Sequence, residues 1–220
     1  MNVFDAMYQS GVVPVIIVND PKKAVDAARA MYRGGSHVVE LAMRVEGVAE
    51  CIRAVRREVP EMVVGAGTVL RLGQLEEAAQ AGAMFGVAPG YDDEIVARSQ
   101  ELGLPFIPGT SHSSDVQKAI KAGLKVIKFF PSEPLGGLNH LEHLAGPYPM
   151  IRFLPSGGVN FDNLEAYLDF RPNLCCATGF TCTDEHLAAE DWETVTALCS
   201  RTTAIARKRL DRGESHGLIF

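Results

Sequence analysis

The stretch "SSDVQKAIKAGLKVIKFFPSEPLGG", residues 113–137, holds one full unit of the chain's architecture and one anomaly. "SSDVQKAIKAG" carries polar residues at its start and a glycine, Gly123, at its stop, the marks of a helix closed by a left-handed cap. "KVIKFF" follows at once and is apolar on both faces, as a parallel strand covered on both sides must be. The anomaly is Lys128. An ammonium is costly to remove from water, so a lysine in a buried strand is either paired or has a chemical task.

Outward from this unit the pattern repeats. Strand-like runs begin at Val12 (VVPVIIV), His37 (HVVELAM), Met62 (MVVGAGT), Met84 (MFGVAP), Pro105 (PFIPG), Lys125 (KVIKFF), Ile151 (IRFLPSG) and Leu174 (LCCATG), with starts 20 to 26 residues apart. Each interval holds one helix and two short turns. "NDPKKAVDAARAMYRGG" opens with Asn19 or Asp20 as a cap and Pro21 in the first turn, then stops at Gly34 and Gly35; other helices stop at Gly82 and Gly103. Eight strand-plus-helix units without a Pro/Ser-rich linker predict one (β/α)8 barrel over residues 1–220, with an open doubly wound sheet as the alternative.

The chain is 47% hydrophobic with a net charge of -6, and its longest basic cluster, "RKRLDR", is interrupted by Leu210 and Asp211. Neither nucleic acid nor an anionic membrane is an expected partner; a small molecule is. Five cysteines, with Cys175 and Cys176 adjacent, form no disulfide framework and no paired zinc spacing, which fits a reducing cytosol and a packing role. The opening "MNVFDAMYQS" lacks a basic region followed by an apolar one, and no run nears the roughly 18 apolar residues of a span, so a protein neither exported nor membrane-bound is expected.

In a barrel, function sits at the C-terminal ends of the strands. Alternation places Val38, Glu40, Ala42 and Arg44 on one face of strand two, provided the strand extends that far; the competing reading is a helix over 38–59 with Glu40 and Arg44 as an i,i+4 pair. Strand three ends in "GAGTV", where Thr68 offers a hydroxyl at the rim or caps the next helix. Strand seven ends in "LPSGG", small residues before a helix that leave N–H groups open to an anion. Lys128 shares its face with Val126 and Phe130. Burial disfavours a charged amine, and a neutral amine attacks carbonyls to form Schiff bases; the bland alternatives are a lysine that snorkels to solvent or one paired with Glu40. His140-x-x-His143 lacks a third ligand and reads as a solvated helix face.

The segments "VVPVIIV", "VVELAMR", "VVGAGTVL", "VAPG", "IPGTS", "KFFPSEPLGG" and "RFLPSGGVN" resemble, in order and spacing, the bacterial 2-keto-3-deoxy-6-phosphogluconate (KDPG) and 4-hydroxy-2-oxoglutarate (KHG) aldolase family over roughly residues 8–200. The resemblance implies a class I aldolase on a (β/α)8 TIM barrel, homotrimeric and acting on a small 2-keto acid without metal or organic cofactor; a short N-terminal helix and a cytoplasmic location are expected with it. It implies Lys128 as the Schiff-base lysine and Glu40 as the general acid/base. Arg44 and Thr68 would hold the pyruvate carboxylate, Pro89 and Phe130 line the pocket, and Ser156, Gly157, Gly158, Thr178 and Gly179 face the far end of the substrate. After strand eight this chain has Ala177-Thr178-Gly179 where members with phosphorylated substrates commonly carry G-G-S. The serine falls on Gly179, leaving Thr178 or Thr181 as the side chains able to replace it. The other functions considered are a sugar-phosphate isomerase or epimerase and an inactive ligand-binding barrel.

Overall fold

Strands apolar on both faces need cover on both, and closing the sheet on itself meets that need on the inner one. A computed structural model, which describes residues 2–213 and 215–217, has this form. Its strands are β1 (Val12–Ile16), β2 (Val38–Ala42), β3 (Val63–Gly67), β4 (Gly86–Val87), β5 (Phe106–Ile107), β6 (Gly109–Thr110), β7 (Val126–Phe129), β8 (Arg152–Pro155) and β9 (Cys176–Thr178). The helices are α1 (Val3–Ser10), α2 (Pro21–Arg33), α3 (Val48–Glu58), α4 (Leu72–Gln80), α5 (Asp93–Glu101), α6 (Ser113–Lys121), α7 (Gly137–Ala145), α8 (Leu164–Asp169), α9 (Asp184–Ala189) and α10 (Trp192–Asp211).

All paired strands are parallel, in the orders β5-β4-β3-β2-β1-β9 and β6-β7-β8. The single fifth strand expected from "PFIPG" is two pieces, because Pro108 has no N–H with which to continue the ladder. β5 pairs with β4 and β6 with β7, while the Pro108 carbonyl accepts from the Lys128 N–H at 2.9 Å. The other seam closes through the bridge Ser156–Ala177 and the bond from Leu174 N–H to the Phe153 carbonyl at 2.8 Å. Together these make a closed (β/α)8-type barrel.

The expected local signals hold. Asp20 caps α2, accepting from Lys22 N–H at 2.8 Å and Lys23 N–H at 3.2 Å, and Gly82, Gly103 and Gly123 each take a left-handed φ just after α4, α5 and α6. β2 ends at Ala42 and α3 starts only at Val48, which removes the reading of 38–59 as one helix. Alternation then sorts the side chains. Val126, Val38 and Cys175 join the inner core, whereas Ile127, Phe129 and Cys176 pack outward among Val116, Leu141 and Tyr167.

The lower half of the barrel is filled by Val13, Val38, Val63, Phe85, Val87, Ile107, Val126 and Leu154, and α1 closes it from below with Val3, Ala6 and Met7. Met7 is completely buried there. Met7→Ala is therefore expected to cost about 2–5 kcal/mol in chemical denaturation through the cavity it leaves. A loss under about 0.5 kcal/mol would mean that α1 is not an integral plug.

Candidate active site

A cavity of about 420 Å³ opens at the C-terminal ends of the strands. It is lined by every residue the sequence reading proposed: Glu40, Arg44, Thr68, Pro89, Lys128, Phe130, Ser156, Gly157, Gly158, Thr178 and Gly179. Val15, Ile16, Ile17, Ala177, Cys182, Thr183, Asp184 and Glu185 complete the wall. Of these, Val15 and Ile17 were legible from the alternation of strand one, as they share a face with buried Val13. The acidic pair after strand eight carried no motif.

Glu40 lies on the inner face of β2, 1% exposed, one pleat above Val38. Among the described residues its Oε2 is buried without a hydrogen-bond partner, an arrangement that is costly unless a water or ligand completes it. The carboxylate has room because β3 ends in glycine: a Cβ on Gly67 would sit 1.9 Å from Glu40 Oε1. Gly65 is likewise required, since its Cβ would meet the Phe85 ring at 2.3 Å. The sequence "GAGT" thus places two residues without side chains on the inner face and Ala66 on the outer one.

Lys128 is 7% exposed and reaches the cavity one pleat above Val126. Among the described residues its amine has no carboxylate within ion-pair distance, Glu40 included, and it lies over the Phe130 ring with the centroid 5.4 Å from Nζ. The readings of Lys128 as a snorkelling or salt-bridged lysine do not describe it. Its backbone is fixed on both sides, by the N–H bond to Pro108 and by Thr110 Oγ1 donating to its carbonyl at 2.9 Å. A buried amine and a buried carboxylate facing one cavity can add to a carbonyl and relay protons around it.

Arg44 stands in the turn after β2 rather than on the strand, and its Nε donates to Thr68 Oγ1 at 3.2 Å. Thr68 does not cap the next helix, whose cap position is Arg71. It holds a left-handed φ of 54°, strained for a β-branched residue and tolerated where surrounding structure enforces it. The pair leaves guanidinium N–H groups at the rim, suited to a carboxylate.

At the opposite end Ser156, Gly157, Gly158 and Gly179 offer neutral donors. Neither threonine replaces the serine absent at Gly179. Thr178 Oγ1 donates to the Val159 carbonyl at 3.1 Å, and Thr181 is fully buried away from the cavity wall. The glycines also lack the adjoining helix ends expected from the sequence: α8 starts only at Leu164, and the first turn of α9 brings Asp184 and Glu185. Gly179 has no left-handed φ, and a Cβ there would meet only the Val15 carbonyl, at an ordinary 3.4 Å.

The other candidates lie elsewhere. His140 stacks on Phe129 at 5.5 Å, and His143 bonds the Asn139 carbonyl at 2.8 Å. Among the described residues, no group of three His, Cys, Asp or Glu is arranged to hold a metal ion. Cys182 touches the cavity, but burial pushes its thiol up to about 12, so it stays a weak nucleophile near neutral pH.

With this geometry in place, four similarities are informative. A model of the family "KDPG and KHG aldolase" matches residues 3–198. The chain is 37% identical over 205 residues to the 2-dehydro-3-deoxy-phosphogluconate aldolase of Treponema pallidum, covering 93% of this chain and 98% of that one, and 40% identical over 187 residues to the KHG/KDPG aldolase of Escherichia coli K12, covering 85% and 88%. Its backbone matches the KDPG aldolase of Legionella pneumophila, solved with pyruvate captured at low pH as a covalent carbinolamine intermediate. That match has a TM-score of 0.88 at 30% identity and covers 92% of this chain and 98% of that one.

Gly67→Ala tests the internal geometry. The added methyl must displace the Glu40 carboxylate, and turnover is expected to fall on the order of 100-fold if that carboxylate takes part in the reaction, the cost of a shift near 1 Å at a reacting group. A crystal structure and a rate measurement on the variant check this; unchanged turnover would separate Glu40 from the chemistry.

Proposed function

Because the chain belongs to the KDPG and KHG aldolase family, and is thereby a class I aldolase and a carbon–carbon lyase, we propose that Lys128 is its Schiff-base residue and Glu40 its proton relay. The observation that carries this reading is the amine of Lys128, buried without a carboxylate partner among the described residues, in the same cavity as the Oε2 of Glu40, which finds no hydrogen-bond partner among them either. Lys128 adds to the C2 ketone of a 2-keto-4-hydroxy acid and loses water, leaving an iminium that draws electrons from the C3–C4 bond. Glu40, through a water, takes the C4 hydroxyl proton as that bond breaks and an aldehyde departs. The enamine left on Lys128 is protonated at C3, and hydrolysis releases pyruvate and the free amine. Arg44 and Thr68 bind the C1 carboxylate, and Pro89 and Phe130 pack against the three-carbon unit.

Among the described residues Arg44 and Lys128 are the only Lys or Arg side chains on the cavity wall, so substrate enters with its carboxylate toward them and its far end toward Gly157, Gly158 and Gly179. We take KDPG as the favoured substrate and KHG as the second, as the names of the relatives suggest. We also propose residues 1–220 as one catalytic domain, working as a homotrimer in the cytoplasm. Exposed Val45, Leu70 and Leu72 around the strand-two and strand-three loops favour self-association. The five free, buried cysteines suit a reducing compartment, and no helix among the described residues is long and apolar enough to cross a membrane.

Two experiments check this reading. Borohydride with pyruvate is expected to label wild type at Lys128, and Lys128→Met to abolish both labelling and turnover while keeping the fold by circular dichroism; labelling at another lysine overturns the assignment. Gly179→Ser is expected to raise kcat/KM for KDPG more than for KHG, because it restores a hydroxyl donor to a charged phosphate. Such a bond is worth about 1.5–3 kcal/mol, or roughly 10- to 150-fold. Equal changes for both substrates would mean that backbone N–H groups already suffice.

A further inference from the structure

The loop that carries Gly157 and Gly158 has no helix start to hold it, yet both glycines keep left-handed φ values of 91° and 93°. Asn160 and Asn163 side chains each donate to the Gly158 carbonyl at 3.2 Å, and the two carbonyls before it are held by the segment that follows the Lys128 strand. Ser132 N–H donates to the Ser156 carbonyl at 2.7 Å, and Glu133 N–H donates to the Gly157 carbonyl at 2.9 Å. Each of those carbonyls shares a planar trans peptide with the next N–H, so tying the carbonyls of residues 156 and 157 to one side turns the N–H groups of Gly157 and Gly158 to the other. The contact is close: a Cβ on Gly158 would lie 2.5 Å from Glu133 Cβ.

The 132–133 segment is in turn fixed by Tyr167 of α8, which is 1% exposed. The Tyr167 hydroxyl donates to Glu133 Oε1 at 2.5 Å and lies 2.6 Å from Ser132 Oγ. A phenol has one proton, and Glu133 receives it, so the Ser132 hydroxyl is the donor to the Tyr167 oxygen. The chain therefore runs from Ser132 through Tyr167 to the Glu133 carboxylate. Burial and the facing carboxylate push the phenol well above its ordinary range, which keeps it a donor at any pH the enzyme meets.

We propose that Tyr167 is a positioning residue for substrate recognition: through Ser132 and Glu133 it holds the 156–158 loop so that the Gly157 and Gly158 N–H groups aim at the anionic far end of the substrate. It is not among the residues that line the cavity. Its effect is on binding of the far end and not on imine chemistry. The inference rests on the proposed orientation of substrate in the cavity.

The test uses the full-length enzyme, Tyr167→Phe, Glu133→Ala and Glu133→Gln, with two readouts. Tyr167→Phe and Glu133→Ala are expected to speed backbone hydrogen exchange in the 156–158 segment, and to raise KM for KDPG about 5- to 20-fold with kcat and borohydride trapping of pyruvate near wild type. Glu133→Gln, whose amide oxygen still accepts from Tyr167, is expected to stay near wild type in both. Unchanged exchange and KM in Glu133→Ala, an exposed site whose truncation spares the core, would overturn the proposal even if Tyr167→Phe folds poorly. So would a joint fall of kcat and pyruvate trapping, or a Glu133→Gln enzyme as impaired as Glu133→Ala. Failure of wild type to trap pyruvate at all would instead defeat the aldolase assignment of Lys128, and the exchange readout would still decide the clamp.

Discussion

An amine and a carboxylate are held inside a closed parallel barrel, and both need the interior to change character within one pleat. Two residues along β7 separate Val126, packed against Leu154 and Ile107, from Lys128 in the cavity; two along β2 separate Val38 from Glu40. Below that level the barrel is filled by branched and aromatic side chains and sealed by α1. Above it the filling stops, because the inward positions are Gly67, Ala177 and Gly179 rather than large residues. The tight lower half supplies the stability against which two buried polar groups and the strained Thr68 are maintained, since isolated ionisable groups in an apolar interior are net costs.

This layering explains what could be read from the linear sequence. Strand and helix spacing, glycine stops and the inward face of Lys128 and Glu40 depend on residues within a few positions of one another, and there the pattern and the structure agree. The split of the fifth strand was not read from the sequence, because whether its two halves pair with different neighbours depends on strands some twenty residues away on either side. The orientation of Thr178 was similarly out of reach, because its hydroxyl is taken by a carbonyl nineteen residues earlier. Nothing local marked Asp184 and Glu185 as cavity residues, and their alternative as a solvated first turn of α9 reads equally well.

Gly67 and Tyr167 act at a distance for different reasons. Gly67 contributes an absence, the space into which the Glu40 carboxylate folds, and so is legible only once two strands are in register; Glu40 pairs with Gly65, which sets Gly67 one pleat further along. Tyr167 contributes a directional bond across 34 residues. Sequence patterning encodes which residues are inside far more strongly than which polar atoms meet there, because burial follows a period and hydrogen bonds do not.

The electrostatics of the cavity then order the roles along its length. Arg44 and Lys128 are the basic side chains of the wall among the described residues; in the proposed orientation the ketone and its carboxylate bind beside them, and the acidic Asp184 and Glu185 also line the wall. An anionic far group therefore meets no cation of its own among the described residues and must be bound by aimed, neutral N–H groups, whose strength depends on alignment more than a point charge does. A loop with two consecutive left-handed glycines is the part of the fold least able to supply that alignment unaided, since glycine restricts its own backbone least. The Ser132–Tyr167–Glu133 chain supplies it from outside the cavity, and it does so from the segment that leaves β7 immediately after Lys128. In the proposed binding mode the two ends of the substrate are registered to each other through five residues of backbone, from Lys128 to Glu133.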